Sequence, residues 1–369
     1  MQDNDFHVII TGTDPESRKG GIGFALPGYL AAFEASGVTT EVIPSYHPEY
    51  FGGSWLWWIR AMPRLWSAIR KAKRANKKVV LYGHAGSGIS LFREGFLLAI
   101  GRSCGVHTIM QLHSVEVDSY LKSFFPSIMF RLVISQASAI SVLTPWWKHR
   151  LLEAGIKKKI FVIPNPLPSA WELKARGKVN KHVILGEKKI SIIAMSRIEP
   201  GKGLDLLIEA MQYVPENMLL TIAGDGSQTE HLKLKVLELG LKDKVIFAGW
   251  VDGSEKQQLL DSADIFCLPS TYDSFGMGFL EAMANSLPVI ALNQGATPDV
   301  VPNGVAGILI DEHQPKQLSE ALIMLIDSCL RKQMGGHGQS WVLKEYAAHK
   351  VGEELHRMIE SVFMESTGG

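Results

Sequence analysis

Short apolar runs rich in β-branched residues alternate with segments of helical period along the whole chain, and this alternation limits the fold more than any other feature. In the first half the runs fall near 6–11, 39–43, 78–83, 106–112, 139–143 and 159–163. In the second half they fall near 189–195, 218–223, 244–248, 264–268, 288–292 and 306–310. Such alternation is typical of parallel sheets covered by helices on both faces. The sequence therefore predicts an α/β fold.

The number of predicted strands favours two domains, because twelve strands in one open sheet would be unusual. The stretch "IPNPLPSAWELKARGKVNKH" (163–182) has three prolines and little periodicity, and it is typical of a boundary. We expect two Rossmann-like, doubly wound domains, at roughly 1–170 and 171–345, facing each other across a cleft. Helices are predicted at 23–36, 60–76, 203–212, 229–240, 276–285, 315–330 and 341–363.

Composition excludes several classes of protein. The 369 residues are 46% hydrophobic and 20% charged, with a net charge of +1, so no global field favours nucleic acid. The three cysteines form no CxxC pair, which fits a reducing compartment and excludes a cysteine zinc site. The start "MQDNDFHVII" does not resemble a signal peptide, and 124–143 is predicted to be a helix followed by a strand. We expect a cytoplasmic protein.

The glycine-rich turns do not match the common nucleotide-binding patterns. After the first strand, Gly21 and Gly23 have the dinucleotide-binding spacing, but Leu26 stands where the third glycine belongs, and no P-loop is present. The turn "GGIG" (20–23) can still let backbone N–H groups approach an anion at the start of a helix. A plain helix-starting turn is the alternative.

The segment "STYDSFGMGFLEAMA" (270–284) places two acids on either side of a predicted helix start. The N–H groups from Phe275 to Gly278 have no intrahelical partners and would form a phosphate site. Glu281 lies about 7.5 Å further along the helix, where a carboxylate can accept two hydrogen bonds from a ribose diol. Asp273 precedes the helix and could bind hydroxyls that the diphosphate carries. The alternative is a loop cap at Asp273 and a solvated Glu281.

A second group of residues follows the strand that ends at Met195. Arg197 and Lys202 flank a Pro-Gly turn, where two cations can converge on one diphosphate, although a solvated turn is the alternative. With the N–H groups they would stabilise a leaving diphosphate without a metal ion. The only D-x-D, "DND" (3–5), is interpreted as part of the tail. The sequence therefore predicts no metal site and no cofactor.

These residues together resemble the retaining glycosyltransferases of family 4, which have the GT-B fold. The signature of that family is E-x7-E followed by A-x-A, with R-x4-K upstream; this chain has Asp273-x7-Glu281 and Arg197-x4-Lys202. The resemblance extends to "GGIG", "QLHSVEVD" (111–118), "IPNPLP" (163–168) and "VIFAGWV" (245–251). It implies an acceptor-binding first domain, a nucleotide-sugar-binding second domain, and a terminal helix, 346–369, that crosses back to the first domain.

The resemblance also implies roles for individual residues. It assigns catalytic contacts to His113, Asp273, Arg197 and Lys202. It assigns donor binding to Gly21, Gly249, Val251, Ser274, Phe275, Gly276, Met277, Gly278 and Glu281. Gly23 and Glu116 are candidates for the acceptor. It further implies that the sugar keeps its α configuration and that the leaving phosphate takes the acceptor proton.

Two points qualify these roles at the residue level. Asp273 stands where the family usually has Glu, so its reach is shorter by about 1.5 Å. A lone histidine at a strand end, such as His113, is more often a satisfied structural group, and Glu116 and Asp118 are candidates to orient it.

The segment 55–78 combines four tryptophans with eight arginines and lysines. A basic amphipathic helix after Pro63 would suit an anionic membrane surface, and we expect peripheral contact with the inner face of the membrane. The alternative is a solvated basic helix with its tryptophans in the core.

The sequence as a whole predicts a metal-independent hexosyltransferase. It would move a hexose or N-acetylhexosamine from a UDP or GDP sugar to a glycan or lipid-linked glycan, in envelope polysaccharide synthesis. The alternatives are a nucleotide-sugar epimerase, a sugar phosphorylase, or a non-catalytic partner subunit that binds nucleotide sugar.

Overall fold

The computed structural model describes residues 5–17, 20–48, 53–177 and 189–364. The chain divides into two compact units, Met1–Ser169 with Tyr346–Gly369, and Ala170–Glu345. Parts of two predicted features, the linker at 178–182 and the "DND" segment at residues 3 and 4, lie outside the described residues.

The first unit contains one sheet with helices packed on it. Its strands are β1 (Phe6–Thr13), β2 (Thr39–Tyr46), β3 (Lys78–Ala85), β4 (His107–Leu112), β5 (Ala139–Val142) and β6 (Lys159–Val162). Its helices are α1 (Gly20–Ala35), α2 (Gly53–Arg74), α3 (Ile89–Ser103), α4 (Glu116–Lys122), α5 (Phe124–Ile134) and α6 (Pro145–Glu153). A further helix, α7 (Ser169–Arg176), begins where the two units divide.

The second unit repeats this composition of strands and helices. Its strands are β7 (Ile190–Met195), β8 (Met218–Ala223), β9 (Val245–Gly249), β10 (Ile265–Leu268), β11 (Val289–Leu292) and β12 (Gly307–Ile310). Its helices are α8 (Leu204–Ala210), α9 (Thr229–Glu238), α10 (Gly253–Ser262), α11 (Met277–Ala284), α12 (Thr297–Val300), α13 (Pro315–Met324) and α14 (Ser328–Glu345). The last helix, α15 (Ala348–Met364), belongs to the first unit.

Both sheets are parallel and have six strands. The first has the order β2-β1-β3-β4-β5-β6, so the direction of winding reverses between β1 and β3. The second has the order β12-β11-β10-β7-β8-β9, and the reversal falls between β7 and β10. In doubly wound sheets ligands bind beyond the carboxyl ends of the strands at this reversal. The α/β fold and the two doubly wound sheets predicted from the sequence are confirmed.

The strands are buried along most of their length, as expected for parallel strands covered on both faces. In the first unit, Tyr29 and Phe33 of α1 and Tyr82 of β3 share one core with α15, which contributes Leu355 and Ile359. A Cβ added at Gly352 would lie 2.3 Å from the carbonyl oxygen of Ala32, so this glycine permits the close approach of α15 to α1.

Three helix boundaries differ from the predictions. The predicted helix 315–330 is interrupted because the Asp327 carboxylate accepts from the N–H of Cys329 and starts a new helix. The predicted helix 341–363 is two helices, and the carbonyl of Tyr346 between them accepts from the N–H of Leu167 at 2.7 Å. Helix α2 begins at Gly53 and continues through Pro63, so this proline does not mark its start. Among the described residues, no helix has the length and apolar character needed to span a bilayer.

Candidate functional site

The carboxyl ends of β7 and β10 lie side by side at the reversal of the second sheet. Strand β10 pairs with β7 through Ile265 opposite Ile192 and Phe266 opposite Ile193. The turn after β7 carries Arg197 and Lys202, and the turn after β10 carries Asp273. The two predicted groups of site residues therefore follow strands that are neighbours in the sheet.

The two turns are also in direct contact. The carbonyl of Gly201 accepts hydrogen bonds from the N–H of Thr271 at 2.9 Å and from the hydroxyls of Ser270 and Thr271 at 3.2 and 3.1 Å. Gly203 has φ +69°, and a Cβ there would lie 2.0 Å from the carbonyl oxygen of Pro269. Only glycine fits this approach, so the Pro-Gly turn is held against the segment that follows β10.

Lys202 and Asp273 form an ion pair across these turns. The Lys202 Nζ lies 2.6 Å from Oδ1 of Asp273, and the two side chains are 15% and 17% exposed. The other carboxylate oxygen, Oδ2, is buried and accepts no hydrogen bond from the part of the chain that the structure describes. Asp273 thus retains a free acceptor beside a positive charge.

Arg197 lies at the start of the same turn. Its side chain is exposed, and within the described ranges it forms no hydrogen bond or ion pair. This arginine is therefore available to an anion at the carboxyl edge of the sheet.

The start of α11 packs against the end of β7. Gly276 has φ +85° at the N-cap, where a Cβ would meet the ring of Phe279 at 2.4 Å. A Cβ at Gly278 would lie 3.6 Å from the carbonyl oxygen of Met195. Phe275 is buried and anchors the turn, whereas its neighbours Ser274, Gly276, Met277 and Gly278 are half-exposed. The first N–H groups of α11 accordingly lie beside the Arg197–Lys202 turn.

Glu281 lies one turn further into α11 and is paired with a lysine of α10. The Nζ of Lys256 is 2.6 Å from both carboxylate oxygens of Glu281. Burial raises the pKa of the Glu281 carboxyl, and the charge and hydrogen bond of Lys256 act in the opposite direction. The same ammonium lies 5.9 Å from the centroid of the Trp171 ring.

Gly249 ends β9 and Val251 follows it, two strands away from β7. Gly249 has φ +73°, and its carbonyl accepts from the N–H of Gly224 at 2.7 Å. Val251 is half-buried, and Trp250 between them is 55% exposed. These residues share the carboxyl edge of the sheet with the two turns and lead directly into α10, which carries Lys256.

In the first unit, His113 is bonded to a second histidine. Nε2 of His113 lies 2.9 Å from Nδ1 of His84, the next-to-last residue of β3, and the centroids of the stacked rings are 5.1 Å apart. His84 is fully buried, and its Nε2 has no hydrogen-bond partner in the described structure. Burial lowers the pKa of His113 to about 3 and that of His84 well below the ordinary value, so both rings are neutral at pH 7.

The acids that follow His113 do not contact it. Glu116 accepts from the hydroxyl of Tyr120 at 2.9 Å, and Asp118 binds Arg150 at 2.6 Å. Our suggestion that Glu116 or Asp118 orients His113 is therefore wrong. Both acids lie in the first turn of α4, where Glu116 binds Tyr120 of the same helix and Asp118 binds Arg150 of α6. His84 is brought to His113 because β3 pairs with β4.

The three glycines of the "GGIG" turn (20–23) lie in the first turn of α1. Gly21 is exposed, and a Cβ there would meet no heavy atom within 4 Å, whereas Gly23 is buried. Gly20 is likewise exposed with no heavy atom near an added Cβ, so the turn leaves open space at both Gly20 and Gly21.

Sequence reasoning missed His84 and Lys256. A signal existed for His84, because "KVVLYGHA" (78–85) carries a histidine next to its last residue, and β4, the next strand, is followed by another histidine. No signal existed for Lys256, which is one of many polar residues on its helix. Among the described residues, no cluster of three or more histidine, cysteine, aspartate or glutamate side chains is arranged to hold a metal ion.

The second unit is similar to a known protein family. Residues 177–341 match the family described as glycosyl transferases group 1. A glycosyltransferase of uncharacterized function from Methanocaldococcus jannaschii is 30% identical over 260 residues, which are 69% of this chain and 65% of the relative. The GDP-mannose-dependent alpha-(1-6)-phosphatidylinositol monomannoside mannosyltransferase of Mycobacterium tuberculosis is 31% identical over 183 residues, 47% of each chain. The match thus covers less than two thirds of each of these relatives.

A third relative and two solved structures match over more of this chain. The amylovoran biosynthesis glycosyltransferase AmsK of Erwinia amylovora is 26% identical over 72% of this chain and 64% of its own. Sucrose-phosphate synthase from Thermosynechococcus elongatus has a TM-score of 0.74 at 17% identity, covering 98% of this chain and 100% of its own. Anabaena HepE, solved with UDP-glucose, has a TM-score of 0.70 at 18% identity, covering 96% and 99%. These structures share the two-domain α/β fold of the GT-B class.

Proposed function

Residues 177–341 of this chain are a domain of the glycosyl transferases group 1 family, and from this premise we propose that the protein is a retaining glycosyltransferase. It moves a hexose or an N-acetylhexosamine from a UDP or GDP sugar to a glycan or lipid-linked glycan acceptor. One relative is named for GDP-mannose and another for amylovoran biosynthesis, which supports a nucleotide-sugar donor and a role in envelope polysaccharide synthesis.

The observation that carries the proposal is the contact between the turns after β7 and β10. It supports a single diphosphate site where Arg197, Lys202 and the first N–H groups of α11 converge. An ammonium has three donors, so Lys202 can bind Asp273 with one and phosphate oxygens with the other two. These groups supply positive charge where the diphosphate leaves, and we propose that the reaction needs no divalent ion.

The sugars are held at the two sides of the diphosphate. Glu281 accepts hydrogen bonds from the ribose, and Gly249 and Val251 border the base. Asp273 offers its unpartnered Oδ2 to a hydroxyl of the transferred sugar. The shorter reach of Asp273 than that of a glutamate selects which hydroxyl is bound.

The reaction breaks the bond between the anomeric carbon and the diphosphate oxygen and forms a bond to the acceptor oxygen on the same face. The electron pair stays on the diphosphate, which then takes the proton of the acceptor hydroxyl. No side chain has to act as a base. The first unit provides the acceptor side, with Gly21, Gly23, His113 and Glu116 as its candidate residues, and the neutral His113 is suited to hydrogen bonding without charge.

We also propose that the first unit contacts the inner face of the membrane from the cytoplasm. Trp55 and Trp66 of α2 are 62% and 50% exposed, so the alternative that places all the tryptophans in the core does not describe them. The rings of Phe96 in α3 and Trp58 in α2 are in edge-to-face contact, with their centroids 5.3 Å apart. Other apolar side chains of α3 and α5 are also exposed. They are Ile89 and Phe92 of α3, and Phe124, Phe125, Ile128 and Leu132 of α5.

The first test is a thermal-shift panel of UDP, GDP and their sugars, followed by a nucleotide-release assay on the best binder. We expect UDP or GDP to raise the melting temperature, and release of the nucleotide to require an acceptor and to persist in EDTA. Acceptor-independent conversion of the donor would indicate an epimerase. Dependence on inorganic phosphate would indicate a phosphorylase, and binding without turnover a partner subunit.

The second test reverses the charge of Arg197, which is exposed and lacks the ion pair that complicates Lys202. We expect Arg197→Glu to weaken nucleoside-diphosphate binding by several kcal/mol in calorimetry, because it removes an attraction and adds a repulsion. Lys233→Glu is the control, since Lys233 pairs with Glu230 on the exposed face of α9. Equal affinities of the two variants would remove Arg197 from the site.

A further inference from the structure

The carboxylate of Glu281 is bonded on both of its oxygens by one side chain. The Nζ of Lys256 on α10 lies 2.6 Å from Oε1 and from Oε2 of Glu281 on α11. A single ammonium that bridges both oxygens fixes the plane of the carboxylate. The pair therefore determines the direction in which the remaining lone pairs of Glu281 point.

The pair is well removed from solvent. The side chain of Glu281 is 9% exposed and that of Lys256 is 23% exposed. A buried carboxylate is costly unless it is paired, and Lys256 is the charged residue that acts on it. Loss of Lys256 would favour the neutral acid, which accepts hydrogen bonds less well.

Lys256 is itself held in place by α7. Its ammonium lies 5.9 Å from the centre of the Trp171 ring, within reach of a cation–π contact. An ion pair between Lys174 and Asp261 joins the same two helices. Lys256 thus contacts Trp171 of α7 on one side and Glu281 of α11 on the other.

The acceptor capacity of Glu281 leaves room for a ligand. A carboxylate offers about four lone-pair sites, of which Lys256 occupies two. The two that remain match the two hydroxyls of a cis diol. The arrangement can therefore bind a ribose without breaking the ion pair.

We propose that Lys256 is a positioning residue of the donor site, which orients the Glu281 carboxylate and keeps it charged for the ribose diol of a nucleoside diphosphate. The inference rests on the proposed function, which assigns the ribose to Glu281. Lys256 acts through Glu281 and needs no contact with the nucleotide.

The experiment compares the affinity of ribonucleoside and 2′,3′-dideoxynucleoside diphosphates, with uracil or guanine as the base, by calorimetry from pH 5.5 to 8.5. For the wild type we expect the ribose form to bind about tenfold more tightly or better, because a charged acceptor makes the stronger hydrogen bonds. In Lys256→Met this ratio falls toward one at low pH and recovers as the pH rises and Glu281 ionises. Lys256→Arg retains most of the ratio.

Lys233→Met is the matched control, because it removes a lysine from a surface ion pair with Glu230 at 2.8 Å in the same unit. It should leave the ratio and its pH profile unchanged. Lys256→Gln, which keeps a donor but no charge, serves as a second variant if the methionine variant does not fold.

The two possible failures are distinguishable. A wild-type chain that binds no nucleoside diphosphate overturns the proposed function and the role of Lys256 with it. A wild-type chain that binds and prefers ribose, together with Lys256 variants that keep the same ratio and pH profile, overturns the role of Lys256 alone.

Discussion

Acids and histidines at the carboxyl edges of the two sheets are bonded to partners that lie far away in sequence. Lys202 and Asp273 are 71 positions apart, and His84 and His113 are 29 positions apart. Lys202, Asp273 and His113 are candidates from the sequence alone, but the partner of each depends on which strands and helices become neighbours. For the two histidines, burial lowers the pKa and keeps both rings neutral.

The two histidines of the first unit should make its stability depend on pH. Their pKa values are lowered in the folded state, so below about pH 6.5 the unfolded chain binds protons that the folded chain does not. Stability is therefore lost as the pH falls from 6.5 toward 3. We expect a loss of about 1 kcal/mol per histidine between pH 6.5 and 5.5, measured by urea unfolding followed through tryptophan fluorescence.

His84→Gln should reduce this loss, because it removes one of the two sites. His149→Gln is the control, since His149 is exposed on α6. If the wild type and His84→Gln lost the same stability over this range, the neutral buried pair would be the wrong description.

At the scale of elements, α2 presents an apolar stripe and a basic stripe to solvent. Trp55, Ile59 and Trp66 are exposed, and the guanidinium of Arg70 lies 4.3 Å from the centre of the Trp66 ring. The helix continues through Pro63, so the tryptophans before this proline and the arginines and lysines after it share one element. This continuity supports an interfacial role for the whole helix.

Replacing Trp55 and Ile59 by serine should weaken binding to vesicles rich in phosphatidylglycerol by tenfold or more, because each apolar side chain contributes roughly 1.5–3 kcal/mol when buried. Cosedimentation with vesicles measures the effect, and high salt should reduce the binding further. Leu234→Ser with Leu237→Ser is the control, because these leucines of α9 are 59% and 62% exposed. Equal losses in both double variants would argue against a membrane role for α2.

At the scale of the whole molecule, the chain ends on the unit in which it begins. Helix α15 packs on α1 and contributes to the core of the first unit, although the entire second unit separates it from that core in sequence. The first unit is therefore built from two distant parts of the chain. Its folding has to join them at a cost in loop-closure entropy.

Deletion of 346–369 should unfold the first unit and leave the second folded. Among the residues it removes are five apolar side chains that α15 buries in the core of this unit, Val351, Leu355, Met358, Ile359 and Val362. They contribute on the order of 10 kcal/mol, as much as a typical domain's stability. Limited proteolysis with mass spectrometry measures which unit is cleaved. Glu353→Ala with Arg357→Ala, on the exposed face of α15, is the control and should cost under about 1 kcal/mol.

The strands, the fold class and the turns that carry the candidate residues could all be predicted from the amino-acid sequence. All twelve predicted strands are present within a few residues of their predicted bounds, because the burial pattern of a parallel strand is a local property of its residues. The sequence could not predict that Lys256 pairs with Glu281, that His84 bonds to His113, or that the predicted terminal helix is two helices divided at Tyr346. Each of these depends on a partner brought close by strand order or helix packing, and such partners leave no period in the sequence.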